Sequence, residues 1–132
     1  MSKTVIIGAG GALGALLRYF VGLISTSLFG TDYPWGTVIV NLVGAFLIGF
    51  LWGLFQMSNF SDNLKNFVFV GLIGSFTTFS TLSLDAFNLF KAGSFRLGFY
   101  HLFVTNVLGL VFVAVGYLLA TRTHQIISVL VK

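Results

Sequence analysis

Four long apolar blocks, separated by short polar connections, constrain this chain more than any other feature of its sequence. A helix needs about 20 apolar residues to cross the hydrocarbon of a membrane, and each block is long enough. The predicted spans are 4–29, 35–57, 66–90 and 97–121, and the predicted connections are 30–34, 58–65 and 91–96. The sequence therefore predicts an all-α integral membrane protein that forms one four-helix unit over residues 1–132, since short connections make neighbouring helices antiparallel.

The composition fits burial in lipid rather than in a water-soluble core. Hydrophobic residues make up 57% of the 132 residues and charged residues only 8%, whereas a soluble domain carries about 25% charged residues. A chain of this length cannot enclose that much apolar surface. The absence of cysteine excludes a disulfide and a thiolate zinc site. The seven basic residues are dispersed, which argues against nucleic-acid binding.

The first apolar block follows Lys3, an arrangement that also occurs in cleaved signal peptides. The block lacks a clear cleavage site and three further blocks follow it, so we interpret it as the first span. Its glycine run at 8–11 lacks the full G-x-G-x-x-G spacing of a nucleotide-binding loop. We instead expect glycines to let helices approach closely in lipid. Two glycine pairs have the required four-residue spacing: Gly10 with Gly14, and Gly49 with Gly53.

The basic residues that orient membrane helices are almost evenly divided between the two sides of the predicted bundle. One side would hold four and the other three: Lys3, Lys65, Arg122 and Lys132 against Arg18, Lys91 and Arg96. Either the orientation signals are simply weak, or the chain inserts both ways and pairs as an antiparallel dimer. We favour the dimer, because four helices leave little room for a pathway. Residues 122–132 either continue the last helix or lie on the membrane surface.

Polar residues inside the spans are the candidate functional residues, because such groups are costly in lipid. Asn41, in the second span, offers two donors and one acceptor, for helix packing or for an anion. In the third span, residues 71–81 combine two glycines with a cluster of hydroxyl residues. This pattern predicts a helix break at mid-membrane, where freed backbone groups form an ion site. A kink with hydroxyls bonded back to the helix is the alternative.

Further polar positions lie in the other predicted spans or near span ends. Asp85 is the one carboxylate within a span, and its place near the end predicts that it reaches the interface. His101 and Thr105 share one face of the fourth helix. We expect His101 to be a hydrogen-bonded packing residue, because no second His or Cys lies nearby to complete a metal site. Arg18 either snorkels to the interface or attracts anions in a vestibule.

Three segments resemble the Fluc (CrcB) family of small fluoride channels, and the resemblance covers nearly the whole chain. They are 14–19 (GALLRY), 36–41 (GTVIVN) and 74–81 (GSFTTFST), one in each of the first three spans. The resemblance implies a fluoride-selective channel subunit, not an enzyme, in a bacterial or archaeal plasma membrane. Neutral HF leaks in and ionises, and passive export of the trapped anion gives fluoride resistance.

The same resemblance implies an antiparallel, dual-topology homodimer with two pores. A structural sodium ion at the dimer centre would be held by the backbone carbonyls of Gly74 and Thr77 from both subunits. Each pore would bind fluoride through hydrogen-bond donors and the electropositive edge of a phenylalanine ring. The implied pore residues are Asn41, Phe79, Ser80, Thr81, Thr105, His101 and Arg18.

Three positions depart from the pattern of that family. Leu82 stands where the family usually has a second pore phenylalanine, Asp85 replaces a glutamate, and His101 occupies a tyrosine position. Leu82 has no ring edge to offer an anion. The chain therefore forms either a homodimer with one ring per pore or a heterodimer with a paralogous subunit.

Four other functions are alternatives to a passive channel. A small multidrug exporter would need an acidic residue deep in the first span, which is lacking. A non-transporting membrane subunit would use Asn41 and the broken third helix only for packing. A proton-coupled carrier would require a role for Asp85. A membrane enzyme is disfavoured because no nucleophile–base pair or metal-binding set is visible.

Overall fold

The computed structural model describes residues 2–57 and 59–130, together with their side chains except at 124 and 127–130. All regular structure in this part of the chain is helical. Helix α1 spans Lys3–Phe29 and α2 spans Trp35–Met57. The third span, Asp62–Lys91, consists of several helical pieces, and the last helix, called α6 below, runs over Phe95–Leu130. The chain is thus a multi-pass membrane protein, since it contains four helices long and apolar enough to cross a membrane.

The third span changes helix type twice before it breaks. It begins with a single α-turn, α3 (Asp62–Lys65), which the Ser61 side chain caps by accepting a hydrogen bond from the backbone of Leu64 at 3.3 Å. A π-helix follows over Asn66–Ile73, and a short α-turn, α4, over Gly74–Phe76. A π-helix of eight residues is unusual, because such helices occur mostly as single-turn bulges at functional sites.

The predicted break of the third helix lies at Thr77 and Thr78. Both residues are extended, with φ and ψ of −80° and 158° at Thr77 and −151° and 117° at Thr78. The helix resumes as α5 over Phe79–Lys91. The break occurs at the middle of the 30-residue span, so the prediction of a discontinuous third helix is confirmed, while the glycine-containing part upstream remains helical.

Glycines let α1 lie directly against the π-helix. A Cβ added to Gly10 would be 2.5 Å from the carbonyl oxygen of Phe67, and one added to Gly14 would collide with that of Leu72. Gly71 of the π-helix is equally close to α1, because its added Cβ would lie 2.7 Å from the Ile7 carbonyl oxygen. The predicted close approach at Gly10 and Gly14 is therefore confirmed.

A second glycine seam joins α2 to α6, which form the most extensive helix pair of the fold. A Cβ at Gly49 would collide with the carbonyl oxygen of Val113, and a Cβ at Gly53 would lie 2.8 Å from the Ala120 methyl. Gly116 of α6 is packed just as closely against the Phe46 carbonyl. The predicted pair Gly49 and Gly53 is thus a helix-packing site, as such small residues are in lipid.

The helix boundaries differ from the predicted spans by more than one residue at three ends. The third span begins at Asp62 rather than residue 66, because the Ser61 cap lies inside the segment expected to be a connection. The fourth helix begins at Phe95 rather than residue 97 and continues to Leu130, so residues 122–130 extend the last helix. Lys132, one of the basic residues in the orientation count, lies outside the described residues.

Candidate functional site at the helix break

The helix break is held by one side chain of α2. Asn41 Nδ2 donates to the carbonyl oxygen of Thr78 at 3.0 Å, and Asn41 Oδ1 accepts from the backbone N–H of the same residue at 2.8 Å. Backbone groups freed by a break need such partners, because lipid offers none. One Asn41 amide hydrogen is left over, since the group carries two.

The first turn of α5 is organised by the hydroxyl of Thr78. Its oxygen accepts from the backbone N–H of Thr81 at 3.2 Å, which caps the helix, and it donates to the Thr81 hydroxyl at 2.9 Å. The Ser80 hydroxyl lies 3.3 Å from the same oxygen. Three hydroxyls therefore gather at the break, and a threonine is one of the residues preferred at a helix N-cap.

A cavity of about 390 Å³ leads from the α1–α2 connection to the break. Pro34 lines it at the connection, while Thr78 and Thr81 line it at the break. Arg18 of α1 and Asp85 of α5 also line it. No ion pair joins Arg18 to an acidic group in the described part of the chain.

A second cavity has a volume of about 260 Å³. Thr78 lines both cavities, so they approach each other at the helix break. Residues of α2, α5 and α6 line the second cavity: Asn41, Phe79, Leu82, Thr105, Asn106 and Gly109, together with Thr77 at the break. This arrangement places three predicted pore residues, Asn41, Phe79 and Thr105, around one space.

Two positions of α5, both lining this cavity, have opposite exposure. The Phe79 side chain is 75% exposed on the surface of the single chain, whereas Leu82 is 3% exposed. Leu82 is thus part of the chain's own packing, and Phe79 projects outward. Thr105 is buried nearby, and its hydroxyl has no hydrogen-bond partner among the described residues.

His101 lines neither cavity and lies in a polar cluster near the α1–α2 connection. Its Nδ1 shares a 3.0 Å hydrogen bond with the Tyr33 hydroxyl, and its Nε2 lies 4.0 Å from Asp85 Oδ2. The Thr37 hydroxyl donates to the same carboxylate oxygen at 2.6 Å. Burial raises the pKa of the Tyr33 phenol above its ordinary value, and Tyr100 and Asp85 add to this effect. Tyr33 therefore stays protonated at neutral pH.

Two backbone carbonyls at the break accept no hydrogen bond from the described part of the chain. They are the carbonyls of Gly74 and of Thr77. Gly74 is exposed and Thr77 is half-buried. Hard cations prefer oxygen ligands of this type, so these two carbonyls fit the sodium ligation expected from the sequence.

The chain is a multi-pass membrane protein with four span-length helices. Two cavities lie next to the break at the centre of its third span. A profile described as CrcB-like protein, Camphor Resistance (CrcB), matches residues 5–117. The chain belongs to this family, which confirms the resemblance seen in the sequence.

Curated relatives with the name Fluoride-specific ion channel FluC are similar over most of the chain. The protein from Salinibacter ruber is 47% identical over 88% of this chain and 87% of its own length. The protein from Parabacteroides distasonis is 38% identical over 97% and 100%, and that from Dehalococcoides mccartyi (strain CBDB1) is 39% identical over 95% and 97%. These names describe ion channels, so the expectation that the chain is not an enzyme is confirmed.

Several site residues were not foreseen from the sequence. Tyr33 and Thr37 complete the cluster around His101 and Asp85, and Thr78 joins the two cavities. The resemblance segments contain Thr37 and Thr78, which is the signal that could have drawn attention to them. The pore roles of Asn41, Phe79, Ser80, Thr81, Thr105, His101 and Arg18 stay predictions.

Proposed function

We propose that this chain is a subunit of a fluoride-selective channel that passively exports cytoplasmic fluoride and so gives fluoride resistance. The observation that carries the proposal is the pair of cavities that meet at Thr78, in a chain whose relatives are named fluoride-specific ion channels. The channel lies in the plasma membrane of a bacterium or archaeon.

Fluoride is small and strongly hydrated, so the path must replace its water with donors. Arg18 draws the anion into the first cavity, where the hydroxyl of Thr81 is close to the break. Beyond Thr78, the spare amide hydrogen of Asn41, the unpartnered Thr105 hydroxyl and the edge of the Phe79 ring surround the second cavity. The proposed path runs from Arg18 to Phe79 past these groups.

The exposure of the second cavity's lining supports a dimer. Phe79, Ser80 and Asn106 are exposed on the single chain near the middle of their spans, where polar groups facing lipid are costly. We infer that a second, antiparallel copy covers this side and completes two pores. The near balance of basic residues, Lys3, Lys65, Arg122 and Lys132 against Arg18, Lys91 and Arg96, supports insertion in both orientations.

A sodium ion is proposed at the dimer centre, where it would bind the free carbonyls of Gly74 and Thr77 from both copies. When bound, the ion supplies positive charge that compensates these carbonyls and holds the two broken helices together. Its role is structural, since the proposed fluoride path uses donors of Asn41, Thr81 and Thr105 instead.

Fluoride efflux from liposomes tests the proposal. The purified chain is reconstituted alone into vesicles loaded with potassium fluoride, valinomycin is added, and efflux is followed with a fluoride electrode. Rapid efflux of fluoride, with none of chloride from matched vesicles, is the expected result, and it would also show that a homodimer suffices despite Leu82. Absence of fluoride efflux from a well-folded dimer contradicts the homodimeric channel, and co-expression with a paralogous subunit would then decide between a heterodimer and a non-transporting protein.

A further inference from the structure

The cluster around His101 is built in a way that the fluoride path does not explain. His101 is completely buried, and its Nε2 has no hydrogen-bond partner within the described chain. The nearest acidic atom is Asp85 Oδ2, at 4.0 Å, just beyond hydrogen-bond distance. Thr37 already donates to that oxygen, and Tyr33 holds the opposite side of the imidazole. The ring is therefore fixed with one nitrogen aimed toward a carboxylate.

Asp85 connects this cluster to the proposed fluoride path. Its side chain lines the 390 Å³ cavity that also contains Arg18. A carboxylate on the wall of an anion vestibule repels fluoride. Salt screens this repulsion only partly at distances below the Debye length, which is about 8 Å at physiological ionic strength. The charge of the Asp85–His101 pair therefore bears directly on the concentration of fluoride near Arg18.

The charged and titratable groups around the pair come from every neighbouring element. Tyr33 faces His101 from the α1–α2 connection, and Asp85 faces it from α5. Tyr100 lies beside His101 on α6 and acts on Tyr33. Asp32 shares a smaller cavity with Asp85. Arg18, from α1, is the one cationic side chain that lines a cavity with Asp85 among those described here.

We propose that His101 sets the charge of the vestibule, so that uptake of one proton by its imidazole increases fluoride conduction in acid. The proposal rests on the proposed function as a fluoride channel. Imidazole is the side chain whose ordinary titration falls between about pH 5 and pH 8. A proton on Nε2 lets His101 pair with Asp85, and the net charge of the pair changes from negative to neutral. Acid is also the condition in which fluoride enters cells as neutral HF. Conduction would therefore increase when more fluoride has to be exported.

The test measures valinomycin-dependent fluoride efflux from proteoliposomes between about pH 8 and about pH 5.5, the range in which an imidazole takes up its proton. This electrogenic component excludes the leak of neutral HF, which vesicles without protein measure separately. Efflux through the native protein is expected to rise about tenfold across the range. A native efflux that does not change with pH overturns the inference.

Two variants should abolish the pH response, one with low efflux and the other with high efflux. His101→Gln keeps a polar group without a titrating ring, so its efflux should not rise in acid. Asp85→Asn removes the carboxylate, so efflux should stay at the high level in acid. The matched control is His124→Gln, at the other histidine of the sequence, which should preserve the response. A His101→Gln channel that still responds to acid contradicts the inference.

A direct titration keeps the inference testable if a variant fails to fold. The His124→Gln protein contains a single histidine, so ¹⁵N-histidine labelling gives the NMR signal of His101 alone. This signal should titrate over the pH range in which efflux changes. A folded protein whose imidazole signal stays constant refutes the inference. Absence of efflux at every pH instead refutes the proposed channel, so the two failures are distinguishable.

Discussion

Asn41 pairs through its side-chain amide with both backbone polar groups of Thr78, 37 positions away in the chain. A continuous third helix would satisfy these groups itself, so α2 supplies what the break removes. The same amide keeps one hydrogen for another acceptor. Asn41 thus stabilises the break with one of its two donors and its acceptor.

The substitution Asn41→Leu should impair both roles of this residue. It leaves the N–H and C=O of Thr78 unpaired, and each unsatisfied buried group costs about 1–3 kcal/mol. We expect the free energy of unfolding to fall by about 2–4 kcal/mol and fluoride efflux to be largely lost. Thermal unfolding in detergent and liposome efflux measure the two effects. Asn88→Leu, at an exposed position of α5, is the matched control and should change neither.

The ring of Phe79 should be needed for conduction, whereas a second ring on the same helix should not. Phe79→Ile removes the electropositive ring edge while it keeps an apolar side chain. We expect at least about a tenfold loss of fluoride efflux, equivalent to about 1.4 kcal/mol, with the dimer intact by size-exclusion chromatography. Phe87→Ile is the control, because Phe87 is also exposed, at 56%, but lines neither cavity. Equal efflux from both variants would show that the Phe79 ring is not part of the fluoride path.

The Thr78 hydroxyl should be required as a helix cap. Thr78→Val keeps the shape of the side chain but removes the acceptor for the backbone of Thr81, which should cost about 1 kcal/mol of stability. It also removes the hydroxyl between the two cavities, so efflux should fall. Thr78→Ser retains the oxygen and should restore most of both properties. If Thr78→Val has the same thermal unfolding midpoint and the same fluoride efflux as the native protein, the proposed capping role is wrong.

The contact between α1 and the π-helix should tolerate no methyl group at Gly14. Gly14→Ala places a Cβ against the carbonyl of Leu72, and such overpacking costs about 1–3 kcal/mol. Gly8→Ala is the control on the same helix, because a Cβ there meets nothing within 4 Å. The control should be neutral or slightly stabilising, since alanine is the better helix former. The thermal unfolding midpoint should therefore fall for Gly14→Ala and stay at or slightly above the native value for Gly8→Ala.

Sodium removal should inactivate the channel if the carbonyls of Gly74 and Thr77 bind this ion. Vesicles are prepared with N-methylglucamine as the replacement cation during purification and reconstitution. We expect fluoride efflux to fall and the dimer to dissociate more readily, with recovery when sodium is restored. Undiminished efflux after exhaustive sodium depletion would falsify the proposed sodium site.

The parts of the fold that follow from hydropathy were predictable from the sequence. The second span was predicted at its observed bounds, Trp35–Met57, because apolar length alone defines it. The break in the third span was predictable because glycines and hydroxyl residues weaken a helix locally. The π-helix Asn66–Ile73 was not, since its apolar composition does not distinguish bonding to the fifth residue from bonding to the fourth.

The contacts within the polar cluster near the α1–α2 connection could not be predicted from the sequence. His101 meets Tyr33 across 68 positions, and Thr37 meets Asp85 across 48. No local periodicity connects residues so far apart, because only the packing of α2, α5 and α6 brings them together. His101 was expected to be a hydrogen-bonded residue and is one, whereas its partner could be identified only in three dimensions.

Helix α6 is longer than the thickness of the membrane hydrocarbon. Its 36 residues extend roughly 54 Å at the α-helical rise, while the hydrocarbon is about 30 Å thick. In a helix that runs along the membrane normal, the carboxyl-terminal turns extend beyond the hydrocarbon, and we expect a fluorophore, an antibody epitope or a fused domain attached there to be accessible. In the proposed antiparallel dimer, each face of the membrane would carry one such handle, so a single tag would report on both orientations.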